Sequence, residues 1–238
     1  MPRPDRRVTG RFASVDALKA WIEASRRNVR QWEDAAWQQR NGLSAVDLAR
    51  LDLLKDEGAL RAALRYPAAV TPYYLSLADW SNPRDPILRQ WLPDGREMMR
   101  LCSDAREDPF RESAHAPLPG LVHRFPDRVL LMVSRTCAAR CRHCTRKRIA
   151  GQRETTVTAA QLRGIRTYLE AHPEVRDVIV SGGDPFTMET TALEAVLQTV
   201  RGVPSVDVVR IGTRCPVVMP MRVTDDLVAM LRRYHPLY

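Results

Sequence analysis

Three thiols lie within eight residues in Cys137-Ala-Ala-Arg-Cys141-Arg-His-Cys144, and the cationic run Thr145-Arg-Lys-Arg148 follows at once. Thiolates are soft ligands, so the chemistry open to this loop is metal or cluster ligation. A closed structural zinc site takes four ligands. His143 could be offered as the fourth, but its neighbour Cys144 would have to reach the same small ion. Cys102 and Cys215 have no nearby cysteine partner. A [4Fe–4S] cluster held by Cys137, Cys141 and Cys144 alone would leave one iron open to a substrate or cofactor. The flanking Arg140, Arg142, Arg146, Lys147 and Arg148 would offset an anionic cluster, or else form a solvated basic face.

What positions this loop is an alternation of apolar runs and amphipathic segments. Val129–Val133, Asp177–Ser181 and Val206–Ile211 read as strands. Thr158 caps a helix with Gln161 at the capping-box position and Leu162, Ile165 and Leu169 along one face. A second helix runs over 191–201, and Thr224 caps a third that carries Leu227, Met230 and Leu231. Strand-helix repeats of this kind predict an α/β fold with a parallel sheet. Functional groups in such sheets gather at the C-terminal ends of the strands. Three stretches hold that place: the cysteine loop, Ser181-Gly182-Gly183-Asp184, and Gly212-Thr-Arg214. Alone, a Gly-Gly-Asp turn is a weak signal. Its location strengthens it.

The division expected is a helical region and Pro-rich connector over 1–118, then a βα core over 119–238. Residues 1–13 are Arg-rich and read as mobile. Ser14 caps a helix to about Ser25, and Trp32 and Trp37 read as packing residues. Ser44 and Asp47 form a capping-box pair opening a helix. Its stripe of Val46, Leu48, Leu51 and Leu54 is expected to continue through Leu60 and Leu64. Pro72–Leu77 reads as a docked strand or turn, and Ile87–Trp91 as a short helical piece. Tyr234-His-Pro-Leu237 looks like the approach to a fourth strand, so the sequence reads as the first part of a longer protein.

The chain has 238 residues and a net charge of +9, and all but three of its 37 cationic residues are arginine. The charges are interleaved with acidic residues, so generic nucleic-acid binding is not favoured. The N-terminus lacks the apolar core of a secretory signal and no run reaches membrane-spanning length. A cytoplasmic setting follows, where cysteines stay reduced and clustered ones serve as ligands.

Cys-x3-Cys-x2-Cys resembles the signature of the radical S-adenosylmethionine (SAM) superfamily. A narrower resemblance rests on Pro119–Arg128, Cys141–Arg148, Ala150-Gly-Gln152, Ser181–Asp184, Arg210–Arg214 and Pro216–Arg222, with Trp32…Trp37 and Thr71–Leu77 upstream. These stretches are similar to the lysine 2,3-aminomutase family. The resemblance implies a partial radical SAM (βα) barrel, in which Cys137, Cys141 and Cys144 ligate a [4Fe–4S] cluster that binds SAM. The Ser181–Asp184 turn would bind the SAM amino group, and His143 would lie beside its adenine. Arg146 would pair with the substrate carboxylate. Arg124 and Arg128 would stand near the phosphate of pyridoxal 5′-phosphate (PLP), with Phe125 where relatives often carry Tyr. Arg214 would face a cofactor.

The implied reaction moves an amino group from C2 to C3 of an amino acid, by default L-lysine to L-β-lysine. Arginine or glutamate 2,3-aminomutases, or a non-enzymatic Fe–S or zinc module, are the alternatives. An electron donor such as flavodoxin or ferredoxin, and a homo-oligomer when full length, are implied too. The family's PLP-binding lysine has no counterpart, since none of Lys19, Lys55 and Lys147 lies in a Gly-rich segment. The 238-residue chain alone is therefore expected to be inactive.

Overall fold

The computed structural model describes residues 11–99, 106–151 and 155–238. Most of the N-terminal run read as mobile, together with Cys102 and Gln152, lies outside them. The chain divides into two compact units. One comprises Met1–Ala105, Ala138–Arg148 and Val217–Met221; the other comprises Arg106–Cys137, Ile149–Pro216 and Arg222–Tyr238.

The first unit is helical. Its helices are α1 (Val15–Arg27), α2 (Val29–Trp32), α3 (Ala35–Arg40), α4 (Ala45–Arg50), α5 (Glu57–Arg65), α6 (Pro72–Leu75) and α7 (Leu88–Trp91). Local caps set most of their starts. Ser14 accepts the Ala17 N–H, and Asn28 accepts the Gln31 N–H. Ser44 and Asp47 form the expected capping box. The tryptophans are packing residues: Trp21 stacks on Trp37 at 5.6 Å, and Trp32 lies 6.1 Å from Trp37 and 6.5 Å from Tyr73. A short antiparallel pair, β1 (Leu43–Ser44) with β2 (Ala69–Val70), completes the frame.

One expectation fails here. The helix opened by Ser44 does not run on to Leu64. It stops at Arg50, Asp52 takes a left-handed φ of 53°, and Asp56 caps a new helix. The break resets the helical phase. Ala59, Ala62 and Ala63 are buried, whereas Leu60 and Leu64 are exposed. Pro72–Leu77, read as a docked strand or turn, opens with a single helical turn whose Pro72, Tyr74 and Leu75 are buried: Thr71 accepts the Tyr74 N–H, and Pro72 sits in the first turn, where its missing N–H costs nothing.

The second unit holds a four-stranded sheet: β3 (Leu121–Phe125), β4 (Arg128–Ser134), β5 (Asp177–Gly182) and β6 (Val208–Ile211), in that order. The pairs β4–β5 and β5–β6 are parallel, as the strand-helix alternation requires. β3 is an antiparallel hairpin partner of β4 that the pattern did not reveal. Helices α8 (Ala159–Glu170), α9 (Thr190–Arg201) and α11 (Asp225–Arg232) accompany the sheet, and the single turn α10 (Cys215–Val218) follows β6. Thr158 and Gln161 form the capping box of α8, and Thr224 caps α11.

Val129, Leu131, Val133, Val178, Val180 and Val209 are buried with Ile165, Leu169, Leu193, Leu197 and Leu227 of the helices. At about 25 cal/mol per Å² of apolar surface, this core is what holds the strand ends in register. At the outer edge of β6, Tyr238 donates to the Val209 carbonyl and accepts from the Ile211 N–H, one bridge of a parallel ladder.

Candidate cluster and cofactor site

The C-terminal end of β4 is closed at its base. Arg135 donates to the Thr155 carbonyl at 2.9 Å and accepts from Gly151 at 2.8 Å, and Val157 donates to Val133 at 2.8 Å. The Ser134 hydroxyl accepts the Thr136 N–H at 3.0 Å, turning the chain toward Cys137.

The turn after β5 fits against this end with almost no space. Gly183 donates to the Ser134 carbonyl at 2.6 Å, and Asp184 to the Thr136 carbonyl at 2.8 Å. Gly182 has a φ of +118°, and a Cβ there would stand 2.4 Å from Ser134 O. A Cβ on Gly183 would stand 2.4 Å from Thr136 O. Only glycine permits both approaches.

Asp184 then joins this turn to the one after β6. Its carboxylate is buried and accepts the Phe186 N–H at 3.0 Å, the Thr213 hydroxyl at 2.6 Å, the Arg214 N–H at 2.7 Å and the Cys215 N–H at 3.1 Å. Gly212 donates to Val180 at 2.9 Å, fixing the β6 turn from the strand side. Of the three strand-end stretches, the turns after β5 and β6 are joined through Asp184, and the β5 turn meets Ser134–Thr136, the residues that lead into the cysteine loop. Arg222 closes the back of the β5 turn by donating to the Phe186 and Met188 carbonyls at 2.8 and 2.9 Å.

Within the cysteine loop, Cys144 donates to the Cys141 carbonyl at 3.2 Å, and Lys147 to the Cys144 carbonyl at 3.3 Å. The Arg146 N–H points at the Cys144 sulfur, 3.3 Å away. Such a donor stabilises a thiolate, and donors to sulfur are among the levers that tune Fe–S clusters. Ala138 and Ala139 are buried, His143 is exposed, and Cys137, Cys141, Cys144 and Arg146 are half-buried.

Two of the flanking cations are engaged by a carboxylate of the chain itself. Arg142 is 8% exposed and Lys147 is half-buried. Both bind Glu97, a residue the sequence reading did not single out. The Asp94…Glu97 capping-box spacing was the available signal, and it marks only a turn.

The remaining site candidates lie elsewhere. Arg128 opens β4 and pairs with Asp127 at 3.1 Å. The strand separates it from Ser134 by its whole length, about 20 Å. Arg124, on β3 beside it, donates to the Phe110 carbonyl at 3.1 Å and lies over the Phe110 and Phe125 rings. Neither joins the strand-end turns.

Residues 127–211 match a family model described as a 4Fe-4S single cluster domain. That span takes in all three parallel strands and the cysteine loop. An L-lysine 2,3-aminomutase of Acetoanaerobium sticklandii is 44% identical over 211 residues, covering 87% of this chain and 51% of the relative. The similarity to this aminomutase runs over most of this chain. An L-lysine 2,3-aminomutase of Clostridium subterminale is 41% identical, and a glutamate 2,3-aminomutase of Clostridioides difficile is 36% identical, each with 87% of this chain and 50% of the relative covered. The chain thus spans about half the length of the aminomutases it matches.

The residues fit the cofactors of the aminomutase resemblance unequally. A three-thiol loop with a backbone donor on Cys144 fits a cluster. Among the described residues, no three His, Cys, Asp or Glu side chains are gathered as ligands of a single metal ion. PLP does not fit the lysines present. Lys147 is held by Glu97 at 2.8 Å and lies over the Tyr66 ring, while Lys19 and Lys55 sit in surface pairs with Asp16 and Asp52. Among the described residues, no helix is long and apolar enough to cross a membrane.

Proposed function

We propose that this chain carries the radical-generating part of an amino-acid 2,3-aminomutase, and that its sheet is part of a radical SAM (βα) barrel. The observation that carries the reading is the junction of the turns after β5 and β6 through Asp184, directly beside the start of the cysteine loop. Cys137, Cys141 and Cys144 would hold a [4Fe–4S] cluster. The Ser181–Asp184 turn, His143 and Arg214 would receive SAM, and Arg146 would offer a planar guanidinium to the substrate carboxylate. With SAM bound, such a cluster supplies the one-electron reduction that starts radical chemistry.

The chain's own contribution is position. Asp184 accepts four donors, so it acts by holding the β5 and β6 turns together. The backbone of those turns, with Arg214, is what a ligand would meet. None of the three lysines suits PLP.

The reaction proposed for the whole protein is L-lysine to L-β-lysine, with flavodoxin or ferredoxin as electron donor. The glutamate enzyme among the relatives supports glutamate as a second substrate reading. The test is anaerobic reconstitution of the 238-residue chain with iron and sulfide, followed by SAM and dithionite. We expect about four irons and four sulfides per chain, release of methionine and 5′-deoxyadenosine, and no β-amino acid when PLP and lysine are added. Zinc at one equivalent without Fe–S absorbance would overturn the cluster reading. β-Lysine formed by this chain alone would overturn its inactivity.

A further inference from the structure

The first unit contains a buried ionic cluster that belongs to the cysteine loop but originates far upstream. Glu97 lies in a 3₁₀ turn, Gly95–Met98. Arg142, between the second and third cysteines, grips it with both forks: Nε to Oε1 at 2.9 Å and Nη2 to Oε2 at 3.0 Å. Lys147, three residues past Cys144, adds a bond from Nζ to Oε2 at 2.8 Å. The Arg142 and Glu97 side chains are only 7% and 11% exposed.

The guanidinium has further partners. Its Nη1 donates to the Tyr66 carbonyl at 2.8 Å and its Nη2 to the Ala62 carbonyl at 3.3 Å. Ala62 lies in the last turn of α5 and Tyr66 is its C-cap, so the cation sits at the helix end that the dipole favours. The loop backbone is tied down on the same unit. Arg140 donates to Ala69 at 2.8 Å and Arg142 to Gln90 at 2.7 Å.

Glu97 is itself held in place. Its Oε1 accepts the Asp94 N–H at 3.1 Å, closing a capping box. The turn lies hard against α5 at a pair of glycines: a Cβ on Gly58 would be 2.9 Å from Gly95 Cα, and one on Gly95 would be 2.8 Å from Asp56 Oδ1. The two glycines therefore set the height of Glu97 over the helix.

A buried pair of this kind is weak evidence for net stability, since desolvation offsets most of the attraction. Its value lies in geometry. A rigid fork received by two carboxylate oxygens and two carbonyls leaves the Cys141–Cys144 turn one place to sit. We propose that Glu97 is a positioning residue for the cluster: through Arg142 and Lys147 it presets the Cys141–Cys144 turn and lowers the net positive charge behind it. The proposal rests on the cluster reading above. Three lines support it: the bidentate geometry, the burial of both partners, and the placement of Arg142 and Lys147 on either side of Cys144.

The test uses Glu97→Gln, which keeps shape and removes charge, with Arg142→Lys and the double variant. Hydrogen exchange of the metal-free chain comes first. Residues 140–147 should exchange at least tenfold faster in Glu97→Gln, while β4–β6 amides stay unchanged. After reconstitution, the variant should lose iron to a chelator several-fold faster. Its reduction potential should move positive, because an anion near the cluster has been removed. The double variant should add little to either single one.

Unchanged exchange over 140–147 would overturn the positioning role whether or not a cluster forms. Failure of the unaltered chain to take up iron and sulfide would overturn the cluster reading separately. A changed exchange rate with an unmoved potential and unmoved chelator kinetics would reduce Glu97 to a structural residue and overturn the proposal.

Discussion

The Asp184 carboxylate accepts the backbone N–H of Arg214 at 2.7 Å, and so ties the turn after one parallel strand to the turn after the next. Thr213 and Cys215 on either side donate to the same carboxylate. The three donors come from one run of chain, so a single carboxylate fixes both the path of that run and its distance from Gly183. Replacing Asp184 by Asn leaves at least one N–H facing another N–H. Replacing it by Ala leaves buried donors with no acceptor. We expect losses of about 2 kcal/mol for Asp184→Asn and about 3–4 kcal/mol for Asp184→Ala, from the usual range for charged hydrogen bonds. Urea unfolding followed by far-UV circular dichroism checks the order. If the proposed function holds, SAM affinity measured by calorimetry on the reconstituted chain falls in the same order.

The glycines beside it make a sharper prediction. A methyl group on Gly183 would lie 2.4 Å from Thr136 O and 2.8 Å from Arg135 C, both backbone atoms just before Cys137. Backbone cannot rotate aside as a side chain can. Gly183→Ala should destabilise the fold by roughly 2–3 kcal/mol and reduce iron uptake. Gly164→Ala, on the exposed side of α8 with nothing within 4 Å of the new Cβ, should stabilise slightly and leave iron uptake unchanged. Equal iron uptake by the two variants would show that the Gly183 contact is not needed at the site.

What could be read in the sequence was local or periodic. The capping boxes at Ser44 and Thr158 were legible because both partners lie within one turn. The meeting of the turns after β5 and β6 was legible because strand-helix alternation puts the ends of parallel strands on one edge. Phase was not legible: the left-handed Asp52 interrupts a stripe that seemed continuous, and Leu60 and Leu64 end up in solvent. β3 was hidden because Pro119 and Pro126 bracket it within the Pro-rich stretch read as a connector. Glu97 was hidden because Arg142 is 45 residues away in sequence. Asp184 was legible in type and place, but its donors come from a turn whose register only the sheet defines.

Glu97 also predicts an acid response. Burial alone would push its carboxyl up, but hydrogen bonds from Arg142 and Lys147 outweigh that and hold it below the usual glutamate range. A carboxylate whose folded pKa is depressed contributes stability above its unfolded value, near 4.3. It loses that contribution as pH falls through the lower folded value. Stability of the chain should therefore decline from about pH 5 downward, and Glu97→Gln should flatten that decline. Urea midpoints measured at half-unit intervals between about pH 3 and 6 test this; parallel profiles for the two proteins would remove Glu97 from the acid response.

Cys215 marks the limit of the site in the opposite sense. It is fully buried, and burial, reinforced by the Asp184 charge, pushes its thiol well above the usual range. The thiol stays neutral in the folded chain. Its contribution to stability is present below the ordinary thiol pKa and fades as pH rises beyond it. Alkylation requires thiolate and access, and Cys215 offers neither, whereas Cys137, Cys141 and Cys144 are half-buried. In the metal-free chain at pH 8, iodoacetamide should modify the three loop cysteines roughly a hundredfold faster than Cys215. Asp184→Asn should speed Cys215 labelling, because it removes the neighbouring negative charge and loosens the turn that covers the thiol. Peptide mass spectrometry over a time course reads both effects. Labelling of Cys215 at the rate of Cys144 in the unaltered chain would contradict the buried junction from which the site is argued.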